Sequence, residues 1–126
     1  MIGEYARVPV FAYGGPVDMR KSFESLAALV RQVPGHDPLS GALYLFTNRR
    51  RNAAKVLSFD GSGLCIYHKR LERGLFAALW NLGEGGPLRL TRTELELFLH
   101  GSQLVGRVAL TPAPLSENDL ALGTGS

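Results

Sequence analysis

A chain of 126 residues fits a single domain, and its 45% hydrophobic content excludes a disordered polymer. No stretch approaches the roughly 20 apolar residues of a membrane span, and one cysteine, Cys65, excludes an intramolecular disulfide. The formal net charge of +3 is a weak pointer to an anionic partner. Of the 14 bases, however, only Lys21, Lys55 and Lys69 are lysine, and the arginine fork suits phosphate better than a lysine point charge.

Met1 to Ala6 reads as a loose arm, without the basic start and apolar run of a signal peptide. Val8 to Tyr13 is rich in valine and aromatics and predicts a strand, with Pro9 placing it at an edge or a strand start. After the Gly14-Gly15-Pro16 turn, Asp18 is a candidate cap for a helix over Asp18–Val33. Met19, Phe23, Leu26, Val30 and Val33 would form its apolar stripe. Arg20, Lys21, Glu24 and Arg31 fall off the stripe, and Arg20 and Glu24 stand one turn apart.

Three strand-like runs follow: Ala42 to Thr47, Lys55 to Phe59 and Leu64 to Lys69. They are separated by Asn48-Arg49-Arg50-Arg51 and by Asp60-Gly61-Ser62-Gly63, so a three-stranded antiparallel meander is expected. Leu43 to Phe46 is apolar on both faces and calls for a central strand or one covered by the helix. Cys65, inside an apolar run, is expected to pack rather than react, and one free thiol suits a reducing compartment, here the cytoplasm. The segment Leu75 to Leu82 fits either a strand or a short helix.

Thr91 and Glu94 have the spacing of a capping box, with Leu90 and Leu95 placed as a hydrophobic staple. Leu95, Phe98 and Leu99 give the helix an apolar face, and Gly101 stops it. The Pro- and Gly-containing end from Arg107 reads as a disordered tail. The expected organisation is an arm over 1–6, one α+β domain over 7–106 and a tail over 107–126. The domain is expected to be a small antiparallel β-sheet, built on the meander, packed with two α-helices.

Between Ala42 and Arg73 stand seven bases, Arg49, Arg50, Arg51, Lys55, Lys69, Arg70 and Arg73, against two acids, Asp60 and Glu72. They sit mostly at the ends of the apolar runs, where strand pairing would draw them together into a polyanion-binding surface. A two-stranded ribbon fits a DNA groove, and one short loop offers mainly phosphate contacts rather than base reading. Arg20 and Lys21 are secondary candidates for the same surface. A solvated hairpin protecting strand edges would carry similar charges, so the clustering decides between them.

The chain then resembles a known family. The motifs are Asp18-Met19-Arg20-Lys21-Ser22-Phe23, the arginine turn with Lys55-Val56-Leu57, Asp60-Gly61-Ser62-Gly63-Leu64, and Lys69-Arg70-Leu71-Glu72-Arg73-Gly74-Leu75-Phe76. They are similar, in order, to TnpB-type accessory proteins of the insertion-sequence sixty-six family of transposable elements. The resemblance runs from about Val8 to Gly101. Two departures are Ser58, where the family usually has an aromatic, and Ala77-Ala78-Leu79-Trp80, where it usually has an aromatic-proline pair. The resemblance implies a non-catalytic protein that assists DNA transposition beside a separate transposase.

A catalytic reading finds little support. Asp60 is explained by its turn and Glu94 by its cap, while Glu72 sits among arginines. His36, His68 and His100 are too widely spaced to suggest a metal set. No catalytic residue, metal or cofactor is therefore expected. The competing reading is an adaptor, in which some of Tyr44, Phe46, Tyr67 and Trp80 dock the transposase or a second copy of the chain.

Overall fold

Five consecutive buried residues, Leu43–Thr47, form strand β2 at the centre of a five-stranded sheet. A strand apolar on both faces requires cover on both sides, and the other elements supply it. In chain order they are β1 (Val10–Pro16), α1 (Phe23–Arg31), β2, β3 (Ala53–Phe59), β4 (Leu64–Arg70), β5 (Leu88–Leu90) and α2 (Arg92–Leu99), then a short pair, β6 (Leu104–Val105) and β7 (Val108–Ala109). The computed structural model describes residues 8–79 and 86–101, and the backbone of 104–105 and 108–109. The expected arm over 1–6, Trp80 and most of the expected tail lie outside the described residues.

The main sheet has the order β4-β3-β2-β1-β5. β2, β3 and β4 form the expected antiparallel meander. β1, in contrast, runs parallel to β2 and antiparallel to β5, so the sheet is mixed. The physical reason is the connection: β1 reaches β2 through α1, and a helical crossover brings the chain back in the same direction. The fold is α+β as expected, with one parallel pair inside it.

α1 packs on one face. Leu26, Ala27 and Val30 meet Tyr44, Phe46 and Leu57 there, with Phe11, Tyr13 and Ile66 at the margins. The Tyr13 hydroxyl donates to the Leu29 carbonyl at 2.8 Å and ties helix to sheet. α1 starts four residues later than the sequence suggested for its cap: Ser22 is the N-cap, and its N–H donates to Ser25 Oγ at 2.9 Å. Asp18 instead accepts from the backbone N–H of Arg20 at 2.8 Å, which turns the chain before the helix can begin. Phe23, expected on the apolar stripe, is the first helical residue and stays 44% exposed.

The opposite face holds Val10, Ala12, Leu43, Leu45, Ala54 and Val56 under Leu95 and Phe98 of α2. The expected capping box forms: Glu94 N–H donates to Thr91 Oγ1 at 3.0 Å, and Thr91 N–H to Glu94 Oε1 at 2.7 Å. Leu90 and Leu95 are both buried, as the staple requires. Residues 75–78 form neither strand nor α-helix; Phe76, Ala77, Ala78 and Leu79 are nevertheless buried, with the Phe76 ring stacked 4.9 Å from Phe98. Among the described residues no helix is long and apolar enough to cross a membrane.

Cys65 departs from expectation. β4 is the edge strand of the main sheet among the described residues, and the thiol is exposed rather than buried. Its Sγ lies 3.7 Å from the Asp60 carboxylate. Partial desolvation and that negative charge push the thiol above its ordinary value, so it stays protonated and unreactive near neutrality.

Because Phe98 is fully buried and closes one core against Phe76, Phe98→Ala should cost about 3–5 kcal/mol of stability. Urea denaturation monitored by far-ultraviolet circular dichroism measures it; a loss below about 1 kcal/mol would refute this account of the packing.

Candidate nucleic-acid interface

The arginine loop between β2 and β3 is wired by its flanking asparagines. Asn48 Oδ1 accepts from the backbone N–H groups of Asn52 and Ala53, both at 3.1 Å, and Asn48 Nδ2 donates to Asn52 Oδ1 at 2.7 Å. The Arg51 N–H closes the turn on the Asn48 carbonyl at 3.1 Å. Arg51 adopts φ 61°, a left-handed conformation that completes a tight hairpin but strains any residue other than glycine. The Phe76 and Leu71 N–H groups donate to the Arg51 and Asn52 carbonyls at 2.6 and 2.8 Å and hold it there. The loop is therefore presented as a fixed object.

Its three arginines differ. Arg49 and Arg50 are exposed, whereas Arg51 is half-buried and its Nη1 is buried without a hydrogen-bond partner. Arg50 lines a depression of about 500 Å³ with Met19, Asn48, Asn52, Ala53, His68 and Arg70. A second depression, about 910 Å³, adjoins it through the shared Met19, Asn48 and Arg50, and adds Asp18, Arg20 and Arg49. The cause of this convergence is register: Ala53, at the foot of the loop, pairs with Arg70 at the end of β4. Residues some twenty apart in sequence thus share one concave surface.

Strand alternation divides the remaining cations. Lys55 lies on the α1 face, is 8% exposed, and donates to the Lys21 carbonyl at 2.6 Å. Lys69 points to the opposite face, where it donates to the Leu99 carbonyl at 2.7 Å at the C-terminal end of α2. A cation there complements the helix dipole. Lys55 thus ties the sheet to the segment before α1 and Lys69 ties it to α2, and neither lines the depressions. Arg73 is exposed in the turn leading to Gly74, whose φ of 74° favours glycine, and does not line either depression.

Arg20 lies at the rim with its side chain 91% exposed and grips Asp18 at 2.7 to 3.1 Å. The expected pairing of Arg20 with Glu24 gives way to this closer carboxylate. The Arg20 side-chain hydrogen bonds, with its backbone N–H, hold the Asp18 carboxyl down to about 2. Among the described residues Asp18 is the one carboxylate lining either depression, and Arg20 balances it. Arg49, Arg50 and Arg70 have no ion-pair partner among the described residues. Lys21 is half-buried and lines neither depression.

Met19, Asn48, Asn52 and His68 were not singled out from sequence. His68 had a usable signal, since it stands two residues before Arg70 on a strand and must share its face. Burial and then the charges of Lys55 and Arg70 lower its pKa below the ordinary value. Among the described residues, no three His, Cys, Asp or Glu side chains group as a metal site.

The arrangement is an open basic hollow on a small mixed sheet, chemistry suited to an extended anion and not to enclosing a small molecule. Similarity to known proteins places the chain in a family. The family of IS66 Orf2 like proteins matches over residues 8–108, and the chain belongs to it. The chain is 38% identical over 101 residues to the uncharacterized protein y4hO of Sinorhizobium fredii, covering 80% of this chain and 86% of that one. It is 30% identical over 101 residues to the uncharacterized protein y4jC of the same organism, covering 80% and 85%. No solved structure matches. Membership supports an accessory role in transposition, as the motifs implied.

Two outcomes follow from this geometry. Asn48→Ala removes three side-chain hydrogen bonds from the loop and should cost about 1–3 kcal/mol. Hydrogen exchange at the Asn52 and Ala53 amides should accelerate; unchanged exchange would show that the backbone alone fixes the loop. His68 binds protons less readily folded than unfolded, so its contribution to stability is complete above about 6.5 and is lost as pH falls below it. His68→Gln should flatten the pH dependence of the thermal midpoint between neutrality and pH 5; an identical slope in both proteins would exclude His68 as its source.

Proposed function

We propose that this accessory protein assists transposition by holding duplex DNA through phosphate contacts, without catalysis of its own, in the cytoplasm. The observation that carries the reading is the convergence of Arg49, Arg50 and Arg70 around joined depressions in which Asp18, the single carboxylate among the described residues, is already balanced. Arg20 lines the same surface, and Lys21, Arg51 and Arg73, which line neither depression, remain secondary candidates. Guanidiniums without protein partners bind a polyanion at little internal cost and release its counterions. The fixed loop supports the same reading, because a preformed array loses less conformational freedom on binding than a mobile one.

The depressions carry a sparse base-reading inventory. Asn48 and Asn52 are engaged with one another and with the loop backbone, so few side chains remain to distinguish sequences. Binding is thus expected to depend on charge and duplex shape, with the transposase of the same element supplying site selection. The transposase is itself a proposed partner.

The test is fluorescence anisotropy of the full chain with a random-sequence duplex over a range of salt. Arg49→Glu, Arg50→Glu and Arg70→Glu combined should weaken binding tenfold or more and reduce the salt slope by about one for each phosphate no longer neutralised. Lys69→Gln, whose ammonium is turned to α2, should leave affinity and slope close to wild type. Salt-insensitive binding, or equal losses from Lys69→Gln, would refute the assignment. Capture of the transposase by a chain without DNA affinity would give the surface to an acidic protein instead.

A further inference from the structure

β4 ends the main sheet, and among the described residues its outer edge has no strand beside it. Seven residues, Leu64–Arg70, run along that edge, and Cys65, Tyr67, His68 and Arg70 are exposed. An edge of this length presents a row of unpaired backbone donors and acceptors, which proteins usually protect with charges or proline along the strand. Here the permanent cations, Lys69 and Arg70, sit at one end only, and Leu64, Cys65, Ile66 and Tyr67 are uncharged. Tyr67, at 53% exposure, is a large apolar side chain in an open position at the middle of the strand. It borders a groove of about 450 Å³ between β4 and α2, lined also by Leu43, Val56, Leu95 and Leu99.

We infer that β4 is the dimerisation edge of this protein, pairing antiparallel with β4 of a second copy about a two-fold axis at Tyr67. The charge distribution selects this occupant and this direction. Asp60 lies in the turn that begins β4, where the N–H groups of Ser62 and Gly63 hold its carboxyl down to about 2, so it is anionic at any ordinary pH. Lys69, Arg70 and Arg73 lie at the other end with one acid, Glu72, among them, so that end is net positive. Antiparallel pairing about Tyr67 sets Arg70 opposite Leu64, Lys69 opposite Cys65 and His68 opposite Ile66. Each Asp60 turn then lies beside the Arg70 and Arg73 end of the second copy. Parallel pairing would set cations on cations and Asp60 on Asp60, which opposes it.

The side chains agree with the charges. Cys65, Tyr67 and Lys69 occupy the α2 face of β4, so the two Tyr67 rings would meet on that face, over the mouths of the two grooves. Such an interface is isologous and closed, with ten strands in one sheet and no repeating edge left to polymerise through β4. Both basic depressions would lie on the α1 side of the joined sheet. Their Arg70 residues would be about 20 Å apart along the strands at about 3.3 Å per residue. The pairing itself does not depend on DNA.

The experiment is sedimentation equilibrium of the full chain without DNA, with wild type and Tyr67→Lys compared. The wild type should dimerise, more weakly at high salt, and Tyr67→Lys, which puts two cations on the axis at an already exposed site, should weaken dimerisation tenfold or more. In a Cys65→Ser background, Tyr67→Cys should form a covalent dimer under mild oxidation, because opposed positions approach disulfide distance. Ala28→Cys, exposed on α1 away from the edge, should not. A wild type that stays monomeric at every concentration, a dimer unaffected by Tyr67→Lys, or equal cross-linking through Ala28→Cys would each overturn the proposal. So would an edge that becomes protected only when the transposase is added. Arg49→Glu with Arg50→Glu should weaken DNA binding and leave the dimer intact, so the two readings fail separately.

Discussion

The burial of β2 on both faces constrains everything else in this protein. Leu43, Leu45 and Thr47 look toward α2, while Tyr44 and Phe46 look toward α1, and neither set can be left in water. One helix must therefore cross in front of the sheet and another behind it, and the buried residues 76–79 complete the second layer. A chain of this length has enough apolar residues for two thin cores only if one strand serves both. β2 performs that service at the centre; β3 beside it is also buried on both faces from Ala53 to Leu57, whereas β1 is fully buried on one face only, at Val10 and Ala12.

The two-faced sheet also sorts the cations. A period of two sends successive residues of β4 to opposite sides, so neighbours in sequence acquire unrelated tasks. Lys69 finds the open carbonyl end of α2, and Arg70 finds the hollow beside Arg50. Lys55 faces α1 and is drawn to the Lys21 carbonyl, where its long apolar stem can lie buried while the ammonium is satisfied. Lysine serves as an internal tie at both places. The exposed concave surface is left to arginine, whose guanidinium stays charged and suits an oxygen-rich partner.

Much of the fold could be read from residues alone. The Thr91 and Glu94 cap, the Leu90 and Leu95 staple and the three-stranded meander depend on short-range geometry, and all three form. The α1 start was misplaced because Asp18 has two uses: the Arg20 N–H and guanidinium compete for the carboxylate that a helix end would otherwise receive. Residues 75–79 gave no periodic signal because their burial comes from a loop wedged between the arginine hairpin and Phe98, not from a regular element.

Sequence alone determined the capping chemistry, the central apolar strand, the concentration of arginines at a hairpin tip and the family motifs, since each is a matter of neighbouring residues. Tertiary structure decided which cations meet. Strand register brought Arg50 to Arg70, alternation turned Lys69 away, and burial absorbed Lys55. Those outcomes depend on pairing partners far along the chain, and an amino-acid string does not state its register until both faces of the sheet have been covered.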